Sequence, residues 1–291
     1  MNVYFKYFQC LLIPFLVSNI GFSQTCPVSS INAQAGTGAS TTICRGNCAT
    51  LTSSVVALNT TTSYSVAANT YTPYSYLMGT AATTVNVDDI WSPAINIGFS
   101  FCYFGNTFTQ LYIGSNGEIT FNTPPVGEFF AVTAILPNLA QHPGNTICGP
   151  YRDVNPAVGV SSNITYTTIG VAPCRIFVAN WSNIPLFGCN TLTSTCQIVL
   201  YEKSNVIIVN IQNSPSCNSD SFGRALIGIQ DATGTTAVFP PGRNVLTAWS
   251  TTNESWIFTP TGAPSYSVTW NGPGAYSSTG LSATPCPTVT S

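Results

Sequence analysis

Apolar and polar positions alternate along most of this chain in short runs, and Gly, Pro, Asn or Ser breaks the runs every few residues. That two-residue period puts successive side chains on opposite faces of a strand. The sharpest case is residues 111–121, where Asn116-Gly117 reads as a type I′ turn because both turn positions need positive φ. On the second arm, Ile119 and Phe121 are expected to face a core while Glu118 and Thr120 face water. A second hairpin runs over residues 196–201, turns at 202–205 and returns over 206–211. Its continuous apolar runs predict strands buried on both faces. Residues 175–181 and 225–230 read as further strands. One or two helical turns are expected within residues 128–139, ended by Pro137. Many short strands with frequent turns predict an all-β sandwich rather than an α/β fold.

The patterning also divides the chain. Lys6, an apolar stretch over residues 7–17 and the small-x-small site Gly21-Phe22-Ser23 make residues 1–23 a signal peptide, with Gln24 as the first mature residue. No later apolar run is long enough for a membrane helix. Residues 24–63 are Thr/Ser-rich and read as a cysteine-containing linker or small strand pair. Residues 64–262 have the length of one large β domain. Residues 263–291 open a further strand-rich module, too short to bury a core alone, so the chain reads as the front of a longer protein.

Export sets the meaning of the cysteines. Without Cys10 in the leader, ten remain: Cys26, Cys44, Cys48, Cys102, Cys148, Cys174, Cys189, Cys196, Cys217 and Cys286. An even number in an oxidising compartment is expected to form disulfides, each adding about 2–4 kcal/mol. Cys44–Cys48 and Cys189–Cys196 are the nearest pairings, with many others open. Zinc is set aside at this level, because no Cys-x-x-Cys pair exists and the sole histidine, His142, stands in a loop.

Composition narrows the function. Only 5% of residues are charged, where about a quarter is usual. Losing Lys6 leaves six basic residues against nine acidic ones. That excludes a basic footprint for nucleic acid or an anionic membrane surface. There is no Gly-x-Ser-x-Gly elbow, and a Ser-His-Asp triad would depend on His142, which reads as solvated in its Gln-His-Pro-Gly turn. Glu118, Glu128, Asp153, Glu202 and Glu254 are the acids from which a glycosidase pair would come, but Glu118 and Glu202 read as solvent-facing. The chain is therefore read as non-enzymatic. Asp88, Asp89, Asp153 and Asn155 offer oxygen ligands on loops, so calcium is the one cofactor considered, against plain turn-capping. Trp91, Tyr103, Trp181 and Trp249 are candidate sugar contacts, with core packing as the competing account.

Several motifs in order resemble a known family. Asp88-Asp89-Ile90-Trp91, the run Ile97-Gly98-Phe99-Ser100-Phe101 and Ile113-Gly114-Ser115-Asn116-Gly117 resemble the front of a nidogen-like domain. Gly149-Pro150-Tyr151-Arg152-Asp153-Val154-Asn155 and Asn163-Ile164-Thr165-Tyr166 continue the likeness, departing from it at Asn155 and Asn163. Cys174-Arg175-Ile176, Ile227-Gly228-Ile229-Gln230-Asp231 and Pro240-Pro241-Gly242-Arg243-Asn244 are similar to a module near the front of very large surface proteins of the Bacteroidota. The resemblance covers residues 40–290. It implies a disulfide-stapled β-sandwich, followed by the start of an immunoglobulin-like or PKD-like module, on a secreted or cell-surface adhesin of the gliding-motility, type IX secretion class. The implied role is adhesion or surface architecture, with a cell-surface glycan or protein as partner and later repeats in the same chain. A carbohydrate-binding module, calcium-assisted or not, is the first rival and predicts Trp or Tyr exposed beside Asp or Asn. A glycoside hydrolase is the second and predicts two facing carboxylates in a pocket.

Overall fold

A computed structural model describes residues 58–286 apart from 83–84, 159–162, 220, 264–267, 273–274 and 281, together with 16–17, 34–35, 48 and 50–54. Apart from Leu16 and Val17, the expected leader lies outside the described residues, as do Cys26 and Cys44. The chain divides into two compact units, and the larger spans Thr60–Ala263.

The larger unit holds thirteen strands: β1 (Tyr64–Ala68), β2 (Thr80–Ala81), β3 (Ile95–Tyr103), β4 (Asn106–Ile113), β5 (Glu118–Thr120), β6 (Thr146–Tyr151), β7 (Asn163–Ile169), β8 (Ile176–Leu186), β9 (Cys189–Tyr201), β10 (Ile207–Ser214), β11 (Leu226–Gln230), β12 (Ala237–Val238) and β13 (Thr251–Pro260). They form a seven-stranded sheet in the order β1-β13-β10-β9-β8-β7-β2 and a six-stranded sheet in the order β12-β11-β6-β5-β4-β3. Neighbouring strands run antiparallel throughout. Between the sheets lies one apolar core, built from Phe101, Ile113, Ile119 and Ile147 on one side and Phe177, Trp181, Ile198 and Val209 on the other. Each such buried side chain contributes about 1.5–3 kcal/mol. The fold is an all-β, disulfide-stabilised sandwich.

The alternation in β5 holds for the core face but not for the outer one. Ile119 pairs with Ile147 and both point into the core. Glu118 and Thr120 point the opposite way, yet both are fully buried. The reason is the connection between β5 and β6, which folds back over the outer face of its own sheet. Val132 and Leu136 of this segment pack on Cys148, Tyr151 and Leu226 in a second small core. Asn244 clamps the Leu136 backbone from both sides, accepting its N–H at 2.8 Å and donating to its carbonyl at 2.9 Å. Gln230 accepts the Asn138 N–H at 2.8 Å, and Ser221 accepts that of Val132 at 3.0 Å. The helical turns expected at 128–139 do not form; the segment is extended loop and turn, held by side chains rather than by its own backbone.

Two further expectations are corrected. The Asn116-Gly117 turn is not type I′, since Gly117 has φ of 90° while Asn116 is not among the residues of positive φ. A 2.9 Å bond from the Gly114 N–H to the Glu118 carbonyl closes a wider loop. The bridges also differ: Cys48 is bonded to Cys286 and Cys189 to Cys217, and Cys102 is disulfide-bonded as well. Cys189 and Cys196 lie seven positions apart in β9, about 24 Å along an extended strand, far beyond the roughly 7 Å a bridge spans. Cys148, Cys174 and Cys196 were expected to be bridged but are free thiols.

The smaller unit includes residues from both sides of the sandwich in sequence. Leu51–Ser54 pairs with Gln34–Ala35 and with Ser282–Ala283, and Thr269–Gly272 pairs with Tyr276–Thr279. Trp270 is buried there, its indole donating to the Gly280 carbonyl at 2.8 Å. The Cys48–Cys286 bridge lies within this unit.

Candidate functional site

The loop joining β4 and β5 is the centre of a polar cluster. The stretch before β3 runs antiparallel beside it: Ser92 N–H donates to the Ile113 carbonyl at 2.8 Å, and Ser115 N–H to the Ile90 carbonyl at 3.0 Å. This pairing brings Asp88, Asp89 and Trp91 to the loop. Asn116 is buried and uses its amide as a clamp. Its Nδ2 donates to Asp89 Oδ1 at 2.9 Å, and its Oδ1 accepts the Val154 N–H at 3.0 Å, which draws Asp153 alongside.

Asp88, Asp89 and Asp153 thus converge, with carboxylate oxygens within 4.8 Å of one another. Asn155, expected as a fourth oxygen ligand, instead donates from Nδ2 to Asp88 Oδ2 at 3.0 Å and accepts the Ala157 N–H at 3.0 Å through Oδ1. It orients Asp88. Partial burial raises the Asp88 carboxyl above its usual range, and the charge of Asp89 adds to this. Burial likewise raises Asp89, against the lowering effect of the Asn116 bond.

A second cluster lies on the covered outer face. Glu118 and Cys148 sit directly opposite each other on β5 and β6. His142, from the covering segment, reaches them: its Nδ1 is 2.7 Å from Glu118 Oε2 and 3.8 Å from Cys148 Sγ, while Sγ is 3.6 Å from Oε2. All three side chains are fully buried. His142 therefore does not stand alone and is not solvated, and Glu118 does not face water. The Cys148 thiol is pushed well up by burial and then by the Glu118 charge.

Glu128 comes from the same covering segment. Its Oε2 accepts the Ser115 hydroxyl at 2.7 Å and the Asn116 N–H at 2.9 Å. Burial raises its carboxyl well above the usual range, followed by the charge of Glu118. Its other oxygen, Oε1, is buried without a hydrogen-bond partner. A Cβ at Gly114 would stand 2.2 Å from that oxygen, so a side chain there would displace the Glu128 carboxyl.

Glu128 and His142 also line a cavity of about 300 Å³, with Trp91, Val126, Phe129 and Leu139. Each of the three polar residues carries one atom without a hydrogen-bond partner: Glu128 Oε1, His142 Nε2 and Trp91 Nε1. Such orphans are uncommon in a folded interior. Phe129 and Phe130 stack on each other with centroids 5.8 Å apart and remain partly exposed.

The other candidate aromatics are core residues. The Tyr103 hydroxyl donates to the Thr146 and Gln230 carbonyls. The Trp181 indole donates to Gly114 and that of Trp249 to Ala225, with Arg243 stacked 4.4 Å over the Trp249 ring. A two-carboxylate hydrolytic site is not built either: Glu128 lines the cavity, but Glu118 does not. Glu202 and Glu254 are bound to Arg175 and Arg243.

No curated protein and no solved structure matches the chain. A family model described as NIDO related matches residues 63–272, which is 210 of the 291 residues, and so takes in every strand of the sandwich and both polar clusters. Domains of this kind are non-catalytic modules with adhesive or structural roles. The chain belongs to the NIDO-related family.

Proposed function

We propose that this chain is an exported, surface-displayed adhesion module that recognises a glycan through the Trp91–Glu128–His142 cavity. The observation that carries the reading is the set of three buried polar atoms, all without partners, on residues that line one cavity. The Trp91 N–H donates, Glu128 Oε1 offers a carboxyl oxygen, and His142 Nε2 accepts when Nδ1–H is given to Glu118. Donor and acceptor atoms side by side suit the hydroxyls of a sugar. Phe129 and Leu139 supply apolar wall for its C–H faces. A volume of about 300 Å³ suits a single terminal sugar ring rather than a long chain.

Calcium at Asp88, Asp89 and Asp153 is a second element of this reading. Its support is the close approach of the three carboxylates, with Asp88 Oδ1 buried and unpartnered. Asn116 links the acids to Glu128, so a cation there would stiffen the cavity wall. Surface location follows the family at the coarse level. The signal peptide, the type IX route and an immunoglobulin-like or PKD-like continuation belong to the same proposal. Among the described residues no helix is long and apolar enough to cross a membrane.

A glycan array tests the reading, run on the full chain in calcium and again with chelator. Saturable binding is expected, weakened about five- to tenfold in Trp91→Phe, which keeps a ring but removes the N–H donor, a bond to a neutral group being worth about 1–1.5 kcal/mol. Binding unweakened by this change, or a blank array from folded protein, overturns the glycan reading. Insensitivity to chelator removes calcium from it.

A further inference from the structure

We infer that Glu118, His142 and Cys148 form a binding site for a borderline-soft divalent cation, zinc. The site stands whether or not the cavity takes a sugar, since Glu118 and Cys148 do not line it.

Three observations carry this. The first is geometry. His142 Nδ1, Glu118 Oε2 and Cys148 Sγ form a triangle with sides of 2.7, 3.6 and 3.8 Å. Donors on a tetrahedral zinc, at about 2.0–2.3 Å from the metal, lie roughly 3.3–3.6 Å apart. Only the nitrogen–oxygen side has to open for the cation to enter.

The second is preorganisation. Glu118 and Cys148 are opposed residues of adjacent strands, fixed by the ladder. The His142 backbone donates to Asn138 at 3.1 Å and accepts from Gln230 at 3.2 Å. Its ring packs edge-on against Tyr151 at 4.5 Å. None of the three side chains has to be ordered on binding, which is a large part of what a built site saves.

The third is unmet polarity. Glu118 Oε1, His142 Nε2 and Glu128 Oε1 are buried without partners, and the one basic group in contact with Glu118 is His142. Acidic side chains buried this close together gain from a compensating cation. A divalent ion fills that role, and a thiolate with an imidazole selects zinc over calcium or magnesium. Zinc also has no redox chemistry to oxidise Cys148, the thiol that stays unbridged beside it. On binding, the Cys148 thiol and any Nδ1 proton leave to solvent, Nδ1, Sγ and Oε2 bind the cation, and one tetrahedral position stays open. His142 Nε2–H then becomes a fixed donor.

The test uses the full chain, produced by export without a histidine tag, stripped with chelator and titrated with zinc against a chromophoric competitor. One equivalent is expected per chain. Cobalt(II) in place of zinc should show a thiolate charge-transfer band. Cys148→Ser should abolish the band and weaken zinc by more than the roughly 100-fold that losing an outer partner can cost, whereas Cys174→Ser should leave both unchanged. A folded wild-type chain that binds neither ion overturns the inference without any variant. So does a charge-transfer band that persists in Cys148→Ser.

Discussion

Cys148, Cys174 and Cys196 all carry free thiols, but their surroundings set three different reactivities. Cys174 is exposed in the turn before β8. Cys196 is buried in the sandwich core, and burial pushes its thiol far up. Cys148 is buried against two acids and is pushed up in the same direction. Because the thiolate is the nucleophile, iodoacetamide on native, metal-stripped protein should label Cys174 and neither Cys148 nor Cys196. Unfolding without reductant should add Cys148 and Cys196. Mass spectrometry after digestion checks this. Native labelling at Cys196, or none at Cys174 in unfolded protein, contradicts the bridging pattern.

At the scale of elements, the ends of strands are tied by arginine–carboxylate pairs, and one of them carries a pH dependence. Arg243 lies in the loop after β12 and Glu254 on β13, so the pair ties the loop leaving one sheet to a strand of the other. Arg243 binds both carboxylate oxygens, at 2.7 and 2.5 Å, and Thr251 donates to one of them at 2.6 Å. Burial raises the Glu254 carboxyl, but bonds from Arg243, Thr251 and Trp256 outweigh it, and the net shift is downward. A depressed carboxyl stabilises the fold fully above the unfolded value of about 4.3. That stability is lost as pH falls through the lower folded value. Glu254→Gln should cost about 1–3 kcal/mol near neutral pH and flatten the acid limb of urea midpoints. An unchanged limb contradicts the assignment.

How much of these elements the sequence shows depends on how local each cause is. Ile119 and Phe121 reach the core as their alternation predicts. Glu118 takes the predicted face yet is buried, because its cover comes from residues 121–145, remote in the strand pattern. Asn116 reads as a turn residue from its neighbour Gly117 alone; the Asp89 and Val154 contacts that claim its side chain are tertiary. For the same reason His142 reads as a lone loop histidine, and Cys148 as one bridge half among ten. A signal did exist in the length of that strand-free connection and its apolar Val126, Phe129, Ile135, Leu136 and Leu139. Long loops inside a domain are commonly functional, and one this apolar needs a surface to cover. The acid cluster was legible in part, since the three aspartates do meet, while Asn155 turned out to orient Asp88.

At the scale of the whole sandwich, three of the unpartnered buried polar atoms among the described residues belong to side chains that line one cavity. The cavity is where that polarity meets apolar wall, which is the basis of the proposed glycan reading. The indole resonances report on this directly, because the chain has five tryptophans. Those of Trp181, Trp249, Trp256 and Trp270 are bonded within the protein, and only that of Trp91 is unpartnered. The decisive measurement is a proton–nitrogen correlation spectrum of the labelled full chain during titration with a panel of monosaccharides. One indole signal should move saturably with at least one sugar, and that signal should be missing from Trp91→Phe. If no indole moves with any sugar, or the four bonded indoles move instead, the cavity is not a glycan site.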